Sequence, residues 1–433
     1  MQWHFQKSVI DRPSTPRAGM AICAGALFTL AAVGAWAQSP VTATVTLTLK
    51  SAFDAAWARQ PEAQSLAARH EAMAARRDAA GSWTAEPATM DISAKTDQLN
   101  RNQGSRETVL GVAIPLWLPG EQPRARALAD AQSRGTATRA DAARLRTAAM
   151  VRDAYWAWAR ARVELALAHD RMNSAQALAA DVARRVKAGV LARADSHQAE
   201  GNVAAAESAL AESQSVMTAA AQLFRSVVGY VPNPGGDADA PMEVSPLVPS
   251  SFAELDMTHP HVIDLIAQAE AARRAAELAR IQTRAHPELT LSTTRERGTF
   301  GDAYQQSLTL GVRVPFGSDS RYRAKLAEAN AEALELESQT RLARERVLAE
   351  LDAARQRVAS AKQVADATSR RARLARETRG FFEKSFQAGE SDLPARLRVE
   401  LEATEADRHA ARARIDYAAS ISALRQALGL LPE

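Results

Sequence analysis

The feature that most constrains this chain is that it is written twice. Gly111-Val112-Ala113-Ile114-Pro115 returns as Gly311-Val312-Arg313-Val314-Pro315, an offset of 200 residues. The same offset relates Pro87 to Pro287, Ala188-Gly189 to Ala388-Gly389, and Gly229 and Pro232 to Gly429 and Pro432. Such a register signals an internal repeat, which has to be recognised before any local element is assigned. The halves meet in GYVPNPGGDADAPMEVSPLVPS, residues 229–250, where proline and glycine break helical periodicity. The expected organisation is a first repeat over 38–230, a linker over 231–250 and a second repeat over 251–433.

Each half reads helix, strand, strand, long helix, helix. Helices are expected over 48–83 and 252–285, over 119–187 and 318–387, and over 193–228 and 392–428. The long pair carries almost no Gly or Pro after its first turns, and at 1.5 Å per residue each spans about 100 Å. Val151, Trp158, Leu165, Met172, Ala179 and Val186 recur every seven residues, with Ala154, Ala161, Ala168, Ala175 and Val182 three positions on. The second half repeats the seam with Leu351, Val358, Ala365 and Ala372 against Ala354, Ala361, Thr368 and Ala375. A sustained seven-residue period implies a left-handed supercoil. Composition agrees: 96 of the 433 residues are alanine and only 5% are aromatic, which suits helices at close approach better than a thick enzyme core. A simple antiparallel coiled coil explains the seam equally well, but it leaves the strands without a role.

Those strands are expected at about 89–99, 106–117, 287–297 and 305–316. Met90, Ile92 and Ala94 alternate with Asp91, Ser93, Lys95 and Asp97, and Leu110, Val112, Ile114 and Leu116 alternate with Val109, Gly111 and Ala113. In the second pair, Leu289 and Leu291 oppose Thr290 and Ser292; Leu308, Leu310, Val312 and Val314 oppose Ser307, Thr309, Gly311 and Arg313. Segments of about 9–11 residues with one apolar and one polar face have the signature of transmembrane β-strands. A half-buried sheet in a soluble α+β domain would alternate in the same way. In a barrel, Asp91, Lys95, Asp97 and Arg313 belong to the lumen side, since a midplane Arg facing lipid costs roughly 2–4 kcal/mol. Four strands cannot close alone, because barrels start at about eight, so subunits have to combine. Two would supply eight strands and three would supply twelve.

Residues 1–37 read as a secretory signal: Lys7, Arg12 and Arg17 precede an apolar stretch from Ala18 to Ala35, and Ala35-Trp36-Ala37 is an A-x-A cleavage site. The single cysteine, Cys23, lies inside that stretch, after Met20-Ala21-Ile22, which lacks the small residue expected before a lipidated Cys. A disulfide framework and thiolate metal sites are excluded. No run of 18 apolar residues appears in the body of the chain, which excludes a transmembrane helix bundle. The 54 basic residues nearly balance 50 acidic ones, so no nucleic-acid footprint is expected. Chemistry is equally sparse. His70-Glu71 starts a zincin-like motif, but Ala74 stands where the second His belongs. His259-Pro260-His261, the one close histidine pair, reads as a surface loop at a helix opening in preference to a metal site. No catalytic residue, metal site or cofactor is expected.

Taken together, the chain resembles the TolC family of outer-membrane efflux channels. The resemblance spans about Leu47 to Leu431. It is carried by the duplication, the Gly-x-x-x-Pro strand ends at 111–115 and 311–315, the Ala-Gly turns at 188–189 and 388–389, and the openings Pro61-Glu62 and Pro260-His261. Pro115-Leu116-Trp117-Leu118-Pro119-Gly120, followed by Arg124 and Arg126, is similar to the heavy-metal-efflux (CzcC-like) branch. The resemblance implies a mainly α fold with a small membrane β-part, in which the duplicated unit forms a trimeric α-barrel continued by a 12-stranded β-barrel. It implies a homotrimer in outer-membrane lipid with a long periplasmic extension, a periplasmic membrane-fusion adaptor, and an inner-membrane transporter, the RND type favoured. The turns Lys187-Ala188-Gly189-Val190 and Gln387-Ala388-Gly389 would form the periplasmic tip and adaptor contact, with Asp195 beside them. Glu390 and Asp392 would gate the entrance as acidic rings, although Asp392 also suits a helix N-cap. A duct for type I protein secretion, or a soluble periplasmic scaffold or adaptor, are the other readings.

Overall fold

The computed structural model describes residues 48–231, 243–247, 258–316 and 320–433. All of them fall in one compact unit, Thr46–Glu433. The expected signal and most of the linker lie outside the described residues.

Where a single helix was expected over 48–83, the chain forms two, α1 (Leu49–Ala58) and α2 (Pro61–Gly81). The break has a local cause: Pro61 lacks the N–H that would continue α1, and it holds Gln60 in an extended conformation (φ −70°, ψ 139°). Proline at the first helical position then opens α2. Thr48 and Ser51 cap α1 reciprocally at 3.1 Å each. In the second half α5 (Pro260–Ala279) opens on Pro260 in the same way and stops short of the expected residue 285. The remaining helices are α3 (Glu121–Lys187, 67 residues), α4 (Arg193–Val228, 36), α6 (Ser320–Gln387, 68) and α7 (Leu393–Ala427, 35).

Four strands, β1 (Thr89–Thr96), β2 (Arg106–Pro115), β3 (Glu288–Arg297) and β4 (Gln305–Arg313), form one antiparallel sheet in the order β1-β2-β3-β4. Three strands end earlier than expected. β1 stops at Thr96 because the chain turns at Asp97, whose carbonyl accepts from the N–H groups of Asn100 and Asn102. β2 stops at Pro115, and Leu116 turns its N–H to Pro287 O at 2.7 Å. β4 stops at Arg313, with Phe316 94% exposed beyond it.

The helices bury their apolar residues in three places. The largest cluster joins Leu49 and Phe53 of α1, Val151, Tyr155 and Trp158 of α3, and Phe224 and Val228 of α4. A second joins Val262 of α5, Val347 and Leu351 of α6, Leu424 of α7 and Leu428, the residue that caps α7. The third, at the far end of the long helices, joins Leu178, Val182, Ala199, Phe386 and Leu393. Along α3 the seam series Ala154, Ala161, Ala168, Ala175 and Val182 is buried throughout. Small side chains at these positions let α4 lie close to α3, where the apolar surface removed from water stabilises the pair by roughly 25 cal/mol per Å².

Candidate channel wall and tip

The strand register sorts side chains onto two faces. Met90 pairs with Val112, Val112 with Leu291, and Leu291 with Leu310, so four apolar residues form one row across the sheet. Adjacent rows on the same face hold Ile92, Leu110, Thr293 and Leu308, and Ile114, Leu289 and Val312. Among the described residues no element packs over their outer rows: Met90, Ile92, Leu308, Leu310 and Val312 are each 62–74% exposed. An apolar face this open in the isolated subunit requires an apolar neighbour.

The opposite face is polar. Asp91, Gly111, Ser292 and Thr309 make one row, and Lys95, Glu107, Glu296 and Gln305 another. Lys95 lies 3.5 Å from Glu107, and Arg313 lies 2.8 Å from Glu288. The register therefore gathers Asp91, Lys95 and Arg313 on one face. Asp97 falls just past β1, where it accepts from Arg106 at 3.1 Å and from the Gln103 N–H at 2.6 Å.

The sheet joins the helices through a set of contacts that periodicity does not reveal. Glu121, the first residue of α3, is fully buried. It accepts from Leu118 N–H (3.0 Å), from Gln282 (2.7 Å), and pairs with His286 Nε2 at 3.0 Å. Burial pushes its carboxyl pKa up, but the bonds from Gln282, Leu118 and His286 outweigh that and hold it below the usual value. Trp117 donates to Ser82 O at 3.0 Å and meets His286 edge-on. Gln122 reaches the same carbonyl at 2.7 Å. The passage from β2 into α3 is thereby pinned to both the α2 end and the approach to β3. An acid just after Pro119-Gly120 was the one sequence signal for it.

The linker holds a second unforeseen site. Glu243 is buried between Arg152 (3.0 Å) and Arg425 (3.2 Å), and it also accepts from Ser422. Arg152 further donates to Gln426 at 2.5 Å and to Leu430 O at 3.0 Å. His259 corrects the surface-loop expectation: it is the N-cap of α5 and only 5% exposed, while His261 is exposed. Burial, with His261 adding to it, pushes its pKa down to about 4.

At the far end, the two helix turns repeat one geometry. Gly189 (φ +73°) and Gly389 (φ +79°) follow Ala188 and Ala388. Val190 N–H reaches back to Arg185 O at 2.9 Å, and Glu390 N–H to Ser385 O at 2.9 Å. These are Schellman-type closures in which the left-handed residue is glycine. Lys187 and Gln387 are the last helical residues, Val190 is 67% exposed, and Glu390 is exposed. Asp195 accepts from Ala192 N–H at 2.9 Å and Asp392 from Ala395 N–H at 3.0 Å, so both acids cap helices. The turns are tied together behind the tip: Arg185 donates to Phe386 O at 3.1 Å, and Arg185 and Arg396 lie 4.7 and 4.8 Å from the Phe386 ring centre. Among the described residues no group of acids, histidines and cysteines converges as a metal site, and no helix is long and apolar enough to cross a membrane.

Paired strand hairpins feeding helices of 67 and 68 residues form a fold shared with solved outer-membrane channel proteins. The outer membrane protein VceC from Vibrio cholerae superposes with a TM-score of 0.70 at 17% identity, over 89% of this chain and 97% of that one. CusC gives 0.73 at 15% over 89% and 93%, and the Neisseria gonorrhoeae MtrE outer membrane channel gives 0.71 at 16% over 88% and 89%. No curated protein matches the sequence. Residues 52–229 match the family model for outer membrane efflux proteins. The fold that carries that segment is that of the TolC-family channels.

Proposed function

We propose that this chain is the outer-membrane duct of a tripartite efflux system. It conducts substrate passively and has no cofactor. The observation that carries this reading is the row register, which puts Met90, Ile92, Leu110, Val112, Leu291, Leu308, Leu310 and Val312 on one open face and leaves only Val109 and Ala113 of the apolar residues in β2 on the other. In lipid, open strand edges leave backbone groups unsatisfied at several kcal/mol each, and β1 and β4 are both edges within the subunit. Three copies of the duplicated unit, closing as a homotrimer with a 12-stranded barrel, remove those edges. The apolar rows then face outer-membrane lipid, and Asp91, Lys95 and Arg313 face the lumen with Asp97 at its rim. Residues 1–37 are the export signal, and the chain divides into repeats at 38–230 and 251–433. The turns at 187–190 and 387–389, with Asp195, form the periplasmic tip that meets a membrane-fusion adaptor; an inner-membrane transporter of the RND type supplies the energy. Glu390 and Asp392 line the entrance, where rings of carboxylates favour cations. The passage at 115–120 favours the heavy-metal-efflux branch.

The test compares neighbouring positions on β4. Leu310→Asp places a charge on the lipid-facing row and is expected to leave the protein out of the pelleted outer membrane. Thr309→Asp, one residue away on the polar face, is expected to leave assembly intact. Equal tolerance of both substitutions, with the wild type in the soluble periplasmic fraction, would overturn the reading.

A further inference from the structure

The register leaves one group of charges that a lumen or a tip does not use. On the face that carries Leu291 and Leu310, β3 runs on past Thr293 into Arg295 and Arg297, and Arg297 pairs with Arg106 of β2. Three guanidinium groups therefore stand at the hairpin-loop end of the apolar face. Arg295 lies two residues beyond the last apolar row and Arg297 four, roughly 7 and 14 Å along a strand.

Aromatic rings lie beneath two of them. The Arg295 guanidinium is 4.4 Å from the Tyr304 ring centre, and that of Arg297 is 5.1 Å from Tyr304 and 5.5 Å from Phe300. Phe300 and Tyr304 are 59% and 44% exposed. The loop that presents them is fixed: Phe300 N–H donates to Gln103 O at 2.8 Å, and Arg297 Nε donates to Gly104 O at 3.0 Å. Gly104 (φ +95°) has no space for a side chain, since a Cβ there would lie 2.6–2.9 Å from Phe300. Arg106 is engaged by Asp97, but neither Arg295 nor Arg297 meets a carboxylate among the described residues. The nearby Glu107 and Glu296 point to the opposite face, and Asp302 is taken by Thr299 at 2.8 and 2.9 Å.

We propose that Arg295, Arg297 and Arg106 form a phosphate-binding rim for a phosphorylated glycolipid of the outer leaflet, of the lipid A kind. Two features select that occupant. The apolar rows that take acyl chains end where the arginines begin, so a bound lipid places its headgroup at their depth. The planar arginine fork matches two oxygens of a multiply charged phosphate monoester bidentately, and a ring beneath the guanidinium leaves its N–H edge free for that contact. A free phosphate has no chains to lie over Leu308 and Leu310. Tyrosine at the boundary is itself an interfacial anchor.

The proposal rests on the membrane reading, and one experiment separates the two. Full-length protein is reconstituted in phosphatidylcholine vesicles containing a small fraction of lipid A and floated on a density gradient. The lipid A that stays with the protein after detergent extraction is then measured. The Arg295→Gln/Arg297→Gln variant is expected to float as the wild type does and to retain about tenfold less lipid A. Arg313→Gln, on the opposite face, is expected to retain the wild-type amount, and dephosphorylated lipid A is expected not to be retained. Should the double variant fail to float, Arg295→Gln alone serves, because the Arg295 side chain makes no hydrogen bond to the protein among the described residues. Undiminished retention in a floating variant overturns the rim and leaves the membrane reading standing. A wild type that does not float with phosphatidylcholine vesicles overturns both.

Discussion

Glu243 shows how much one residue outside any helix or strand can contribute. Among the described residues it is the one carboxylate paired with Arg152, and it shares Arg425 with Glu433, which lies 2.6 Å from that guanidinium. The two arginines are 3% and 4% exposed. Burial pulls the Arg152 pKa down, Glu243 opposes that, and Arg425 adds to it, so removing the carboxylate leaves Arg152 buried beside Arg425 without a counter-charge of its own. Glu243→Gln is expected to cost about 3–5 kcal/mol, the usual consequence of breaking a buried pair on one side. Chemical unfolding followed by helical circular dichroism measures it. The exposed pair Arg160–Asp416, 2.7 Å apart, is the comparison: Asp416→Asn is expected to cost under about 1 kcal/mol. Equal losses would mean that Glu243 does not clamp the linker. The sequence reads residues 231–250 as a linker and gives Glu243 no role, because a lone acid among prolines and glycines has no periodicity and its partners lie on α3 and α7. His259 escaped for a related reason: a histidine before proline looks exposed until the distant turn at Gly429 packs against it.

Helices are where sequence and structure agree most closely. The ends of α3, α4, α6 and α7 fall within about two residues of expectation, because Gly120, the Ala-Gly turns and Gly229 mark them locally. The split of α1 from α2 was marked by Pro61 and should have been read there. Strand faces were legible from alternation alone, but the pairing of β2 with β3 was not, since it joins residues from different halves. The turn glycines allow a test at this scale. A Cβ at Gly189 or Gly389 would meet nothing within 4 Å, so only the positive φ opposes a side chain. Gly189→Ala and Gly389→Ala are each expected to destabilise by about 1–2 kcal/mol. Gly135, inside α3, and Gly380, inside α6, also have open space but ordinary helical conformation. Alanine at either is expected to stabilise by roughly 0.5–1 kcal/mol. Thermal unfolding of the four variants reads the sign, and losses at all four would remove the left-handed turn as the explanation.

Beyond the single subunit, the decisive surface is the one α6 leaves uncovered. Its buried residues Thr340, Val347, Leu351, Ala354 and Ala372 share one side of the helix. Leu334, Leu342, Val364, Leu374 and Phe381 are 53–69% exposed. At about 100° per residue these five fall within one sector of about 120°, facing away from the buried side. A helix that is apolar on both sides has a second partner, and within the subunit α6 already has α5 and α7. The same conclusion comes from the sheet, whose β1 and β4 edges are open. Sequence periodicity showed the seam of α6 but not which side a neighbour takes, because both sides carry Leu and Val. Leu342→Glu/Leu374→Glu puts charge into that stripe without touching the subunit's own core. The wild type is expected to run as a trimer by light scattering in detergent, and the variant to run as a monomer while keeping its helical circular dichroism. If the variant remained trimeric, the stripe would not be the subunit contact and closure would have to come from the strand edges alone.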